Sequence, residues 1–341
     1  MNIFVLNNGA DTGGQGIRIK QAFDRYNARA VAAARTEGRS PDSVEQHRVR
    51  AMHTERSFMK YPRDLEWDEA TAQRLFDEAD VVHVQNSPEL YRTLDRGRGK
   101  PLVVHHQGTR LRSFPEDVTA ESAAVGAVQI VSTVDLLADC PGAEWLPIPH
   151  DIDWIRDTYR QKTQHRPLRI VHAPTNRQAK GTQTVIDVVA ALAAEGMPIE
   201  LKLVEGLPWK VALSWKGQAD IVIDQLTIGY GNNGVEAMAM GVPLISGWAE
   251  DDDRERFRIE TGWEIPFAEA NSAETLERCI RELAASPELR EEVGARGRAF
   301  VEEFHDDVKI AGRLVRIYER AIAGSRPARG EWLTSAEEDD A

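Results

Sequence analysis

The chain has 341 residues, a formal net charge of −13 and 42% hydrophobic residues, enough for two α/β domains and too apolar for wholesale disorder. The acidic balance argues against broad attraction to duplex DNA or anionic lipid, although Arg96, Arg98, Lys100, Arg110 and Arg112 lie close enough in sequence for a local basic face. No apolar run approaches the roughly 20 residues that span a bilayer, Met1–Gly9 reads as a strand and not a signal peptide, and the distant cysteines Cys140 and Cys279 fit a reducing cytoplasm.

Asn2–Leu6 is expected as the first strand, followed by a turn with Gly13 and Gly14 and a helix carrying Ile17, Ile19, Ala22 and Phe23. This is a Rossmann-like start without the full dinucleotide spacing, and the two glycines serve either a ligand or packing. From Ala28 to Trp67 the pattern sets no element: Ala28–Ala34 fits strand or helix, and Arg39–Arg56 is polar. A helix over Asp68–Glu78, a strand over Asp80–Val84, a short helix over Pro88–Leu94 and a strand over Pro101–Val104 follow. The last leads into His105-His106-Gln107-Gly108. A histidine at the C-terminal end of a parallel strand lies where such sheets place ligands, while a surface pair with Gly108 making the turn is an equal reading. A strand at Gln129–Ser132 and the proline-bounded Glu144–Pro149 complete this half. The charged stretch Trp154–Pro167 is expected as a connection.

The second half restarts with a strand at Leu168–Ala173, the turn Pro174-Thr175-Asn176-Arg177-Gln178-Ala179-Lys180-Gly181, and a helix over Thr182–Ala194. Arg177 and Lys180 ahead of a helix are the cations a diphosphate needs. A strand at Ile199–Val204 and a helix at Pro208–Gln218 lead to Ala219–Gly247, the most informative stretch. There a buried strand, Ile221–Ile223, precedes a turn with Gly229, Gly231, Asn232, Asn233 and Gly234, a short helix with Val235, Ala237 and Met238, and a strand at Val242–Ile245. Free amides at the helix start suit phosphate. Glu236, in the first helical turn, would repel a phosphate and is better suited to accept hydrogen bonds from a ribose hydroxyl. On spacing alone, a nucleotide site and a structural turn with a dipole-favoured glutamate are equally good readings. The acidic run Glu250–Asp253 is expected as a solvated face and not a metal site. Helices over Ala273–Ala285, Glu288–Phe304 and Asp307–Ile322 follow, and the acidic tail from Ser325 is expected to be disordered.

Gly229, Gly231 and Glu236-Ala237-Met238-Ala239 match in order the nucleotide-binding segment of family 4-like glycosyltransferases of the GT-B superfamily, which this stretch resembles. Asp224-Gln225-Leu226 further resembles a bacterial and viral branch. The resemblance covers most of the second half closely and the first half loosely. It implies an α/β fold of GT-B type, with two Rossmann-like domains facing across a cleft. The expected division is residues 1–153 with a crossover helix at 307–322, a linker at 154–167, and a nucleotide-sugar-binding domain at 168–306. It also implies a retaining, metal-independent, cytoplasmic enzyme of the hexosyltransferase class. Such an enzyme needs no cofactor and moves a sugar from a nucleoside-diphosphate sugar to an acceptor hydroxyl. The acceptor stays open between glycan, lipid-linked sugar, protein, small molecule and modified nucleic acid.

By the same resemblance, Lys180 of the Lys180-Gly181 pair contacts the donor diphosphate. Arg177 would join it from two residues beyond the family's arginine position, which is Thr175 here. Gly231, Asn232, Asn233 and Gly234 would share the phosphates, and Glu236 would hold the ribose. Gly13 and Gly14 would face the cleft, and His105 or His106 would meet the donor sugar, with Gln107 standing where the family's His-Gly pair has its histidine. One departure concerns the family's two glutamates, separated by seven residues: the first position is Ile228. It keeps a non-catalytic nucleotide or sugar binder in view, beside a nucleotide-sugar epimerase of related fold.

Overall fold

Buried, branched runs alternating with amphipathic segments build two parallel sheets, each covered by helices on both faces. The computed structural model describes residues 1–10, 13–55, 59–161 and 166–324. The first half runs β1 (Asn2–Ala10), α1 (Gln15–Thr36), β2 (Arg48–Glu55), β3 (Leu65–Glu66), α2 (Glu69–Glu78), β4 (Val81–Gln85), α3 (Glu89–Asp95) and β5 (Leu102–His106). It continues with α4 (Thr109–Ser113), α5 (Pro115–Ala123), β6 (Val128–Val131), α6 (Leu136–Asp139) and β7 (Glu144–Trp145). Among the described residues its strands pair in the order β3-β2-β1-β4-β5-β6-β7, all parallel.

Three of these elements lie in or reach into the stretch where the sequence pattern sets none, the short β3 among them. α1 continues through the alanine-rich stretch to Thr36, and β2 occupies Arg48–Glu55. In β2, exposed Arg48 and Arg50 alternate with buried Val49 and Ala51, so arginine masks a short half-buried strand. Likewise α7 (Ile152–Tyr159) stands where composition predicts a connection. Asp151 caps it by accepting from the Trp154 amide at 3.1 Å, and Ile152 and Ile155 bury one face of an otherwise charged segment. Residues 162–165 and the tail from Ser325 lie outside the described residues.

The second half contains β8 (Leu168–His172), α8 (Thr182–Ala194), β9 (Ile199–Leu203), α9 (Trp209–Gly217), β10 (Ile221–Ile223), β11 (Ile228–Gly229), α10 (Asn232–Ala239) and β12 (Leu244–Trp248). After these come α11 (Asp251–Thr261), β13 (Ala268–Glu269), α12 (Ala273–Ala285), α13 (Pro287–Phe304) and α14 (Asp307–Ala323). The order is β11-β12-β10-β8-β9 with β13 beside β12, and only β11 runs antiparallel to its neighbour among the described strands. The acidic run opens α11, where Asp251 and Asp253 pair with Arg254 and Arg256 and favour the helix N-terminus. Among the described residues no acidic, histidine or cysteine cluster is arranged to hold a metal, and no helix is long and apolar enough to cross a membrane.

α14 returns to the first sheet. Its Ile310, Leu314 and Ile317 share a core with Ile3, Val5 and Phe23, and the Tyr318 hydroxyl lies 2.7 Å from His83 Nδ1. The two chain crossings lie side by side, with the His150 amide donating to the His305 carbonyl at 2.9 Å and the Asp307 amide to the His150 carbonyl at 3.2 Å.

Candidate functional site

Between the sheets lies a cleft of about 880 Å³. It is bordered by residues just beyond the C-terminal ends of strands from both halves, including Asn86, Gln107 and Ser132 on one wall and Thr175 and Gln225 on the other. This is where parallel α/β sheets place ligands.

The second-half wall is built from the two segments singled out in the sequence. Lys180 ends the loop after β8, and Gly181 takes the left-handed conformation (φ +66°) that starts α8. The Lys180 ammonium lines the cleft, donating to Asp224 Oδ1 at 2.8 Å and to Gln225 Oε1. Two of its three donors are thus used and one is left for a ligand. Asp224 is buried, which by itself would raise its pKa. The Lys180 charge and hydrogen bonds from Lys180 and the Gly231 amide outweigh burial and hold it below the ordinary value. The Gly231 amide, 2.6 Å from Asp224 Oδ2, is therefore already taken. Val235 donates to the Gly231 carbonyl at 3.0 Å, so the amides of Asn232 and Asn233 precede the first turn's hydrogen bonds. Both asparagines line the cleft, with Thr175, Gly231 and Ile228, whereas Gly234 packs beneath against Leu244 and Tyr230.

On the first-half wall Gly13 lines the cleft, and a Cβ there would stand 3.2 Å from Asn232 Nδ2 of the opposite half. Gly14, at φ +65°, starts α1, and a Cβ would meet the Tyr61 ring at 2.5 Å; its role in this structure is the turn.

Three expectations need correction. His105 and His106 do not reach the cleft: β5 extends through His106, paired with Val131, so both imidazoles remain inside the sheet layers. His105 Nε2 lies 3.0 Å from the Leu146 carbonyl and His106 Nε2 lies 3.0 Å from Gln129 Oε1, and burial lowers both pKa values. Gln107, the first residue beyond the strand, faces the cleft instead. Arg177 also stays outside, exposed and held by Glu205 at 2.8 and 2.6 Å. Finally, the Glu236 carboxylate is only 1% exposed and already engaged by three donors. It accepts from Trp209 Nε1 at 2.7 Å, from Arg18 Nη2 at 3.0 Å and from the Lys216 ammonium. Burial alone would raise its pKa, but the Lys216 and Arg18 charges and the hydrogen bonds from Lys216 and Trp209 hold it below the ordinary value.

Arg18 comes from α1 of the first half, so this contact is a clasp between the halves. Its guanidinium also lies over the Trp209 and Tyr61 rings at 5.1 and 5.5 Å. Arg110 and Arg112 line the first-half wall, held by Glu121 at 2.9 Å and Asp135 at 2.6 Å. His305 lines the cleft beside the Tyr230 hydroxyl, 3.2 Å away, and burial pulls its pKa down to about 3. Sequence reasoning missed Arg18, Trp209 and Lys216. Asp224-Gln225 it had singled out, without the role of holding Lys180.

No protein-family model and no curated protein sequence matches the chain. Solved structures do. HepE from Anabaena in complex with UDP and glucose superposes with a TM-score of 0.65 at 12% identity, over 93% of this chain and 99% of that one. An alpha-glucosyltransferase in complex with UDP and a 13-mer DNA containing an HMU base gives 0.62 at 12%, over 94% and 99%. A putative UDP-N-acetylglucosamine 2-epimerase from Listeria monocytogenes gives 0.53 at 15%, over 95% and 98%. At these identities the likeness is one of fold. The architecture is that of the GT-B glycosyltransferases, with two parallel sheets facing across a cleft.

Proposed function

We propose that the chain is a retaining, metal-independent glycosyltransferase that moves a sugar from a nucleoside-diphosphate sugar to an acceptor hydroxyl. The observation that carries this reading is the charge of the cleft. In a chain of net charge −13, its described lining includes Lys180, Arg110 and Arg112 and no carboxylate. Negative charge grows on the diphosphate as the glycosidic bond breaks. A pre-oriented ammonium and free helix amides act more strongly on that charge than on the ground state. Lys180, fixed by Asp224 and Gln225, would be the cation, and the amides of Asn232 and Asn233 the further donors.

A second reading, a nucleotide or sugar binder without turnover, is favoured by Ile228, an alkyl side chain where the resemblance expects a carboxylate at the donor sugar. The test is calorimetry with UDP, the nucleotide in the HepE and alpha-glucosyltransferase structures, followed by mass spectrometry of reactions with UDP-sugars and acceptors from each candidate class. Acceptor-dependent UDP release with a glycosylated product is expected. Epimerised donor or binding without turnover would replace this reading, and no binding of any nucleoside diphosphate would remove it.

A further inference from the structure

A second cavity, of about 300 Å³, lies apart from the cleft, and among the described residues the two share no lining residue. Tyr61 faces the cleft, while Trp209, its ring centroid 4.8 Å away and inclined at 34°, faces the cavity. Among the described residues, Arg18, Arg25 and Lys210 line this cavity against a single carboxylate, Asp151. Arg18 and Arg25 are two turns apart on one face of α1. Each has a buried Nε with no acceptor among the described residues. The Nη1 of Arg25 pairs with Asp151 at 3.0 Å and its Nη2 with Asp307.

Charge balance points the same way. Arg18 and Lys216 are both at least nine-tenths buried, yet they share one carboxylate, that of Glu236. A buried cation without a counter-charge is costly, and an anion beside Arg18 would relieve it. The walls are aromatic: the Trp154 and Trp209 rings stand 5.8 Å apart, inclined at 37°. The volume is at the small end of ligand pockets.

We infer that this cavity is a second ligand site, for a small organic anion. Its phosphate or carboxylate lies among Arg18, Arg25 and Lys210, and its flat apolar body packs against Trp154 and Trp209. The site is independent of the donor nucleotide.

Phenyl phosphate is titrated into the full chain with and without saturating UDP, followed by calorimetry and tryptophan fluorescence. Inorganic phosphate and phenol serve as controls, each with one of the two features, and benzoate distinguishes a carboxylate from a phosphate. One of the two aryl anions is expected to bind about tenfold more tightly than either control, with UDP present or absent. Lys210→Gln, an exposed position, is expected to weaken that binding about tenfold while leaving the thermal melt and UDP affinity unchanged. Arg25→Gln is expected to weaken it similarly. Absence of binding up to about 10 mM, displacement of the aryl anion by UDP, or indifference to both substitutions would each overturn the inference. Failure of UDP itself to bind would count against the transferase reading alone, because the titration without UDP still decides this one.

Discussion

The Arg18–Glu236–Lys216 cluster makes an asymmetric prediction about two halves of one ion pair. Glu236→Gln preserves side-chain shape but leaves two buried cations with no carboxylate between them. Arg18→Met also removes the 3.0 Å contact, yet leaves Lys216 and Glu236 as a neutral buried pair. Breaking a buried pair so that charge is left uncompensated costs about 3–5 kcal/mol, and this range is expected for Glu236→Gln. Arg18→Met forfeits a hydrogen bond and two cation–π contacts, for a loss of about 1–2 kcal/mol. Urea unfolding at neutral pH, followed by far-UV circular dichroism, gives both free energies if the denaturant slope stays constant across variants. The double variant completes a cycle, and the coupling between the sites should be at least about 1 kcal/mol because the side chains are in direct contact. An equal or larger loss for Arg18→Met than for Glu236→Gln would refute the charge argument.

Lys180→Ala is expected to weaken UDP binding by about 1.5–3 kcal/mol while leaving uridine almost unchanged, since the ammonium addresses only the phosphates; calorimetry with the two ligands checks this. Sugar transfer is expected to survive EDTA, and loss restored by magnesium or manganese would show a metal in the reaction. Stability should fall in acid. Burial pulls His83 and His305 down to about 3 from an ordinary 6.5, so the unfolded chain takes up their protons first as pH falls. Their contribution is intact above about pH 6.5 and is lost progressively toward pH 3, reaching about 2 kcal/mol each at pH 5. That is a large part of a typical stability of about 5–15 kcal/mol, so urea midpoints that agree at pH 7.5 and 5.0 would contradict it.

What was legible in the sequence was local. Lys180-Gly181 before α8 and the glycine-rich start of α10 could be placed because helix periodicity, a left-handed glycine and the preceding strand all act within a few residues. The partners of Glu236 could not, because Arg18 lies 218 positions away along the chain and Trp209 lies 27. Sequence spacing carries no sign of which charge will cross a domain boundary. The histidines show how much depends on where a strand ends. Ending β5 at Val104 places His105 and His106 in a loop, whereas the actual pairing through His106 encloses both in the sheet. Arg177 illustrates competition at the surface, where Glu205, 28 residues later, holds the guanidinium outside the cleft.

The return of α14 to the first sheet has a consequence for synthesis. Ile310, Leu314, Ile317 and Tyr318 complete a core begun by Ile3, Val5 and Phe23, so the first strand waits for a helix far along the chain. Until then the first half carries an uncovered apolar face and His83 lacks the Tyr318 hydroxyl. Nascent chains released before about residue 310 should therefore be sticky and drawn to chaperones, however complete their first seven strands.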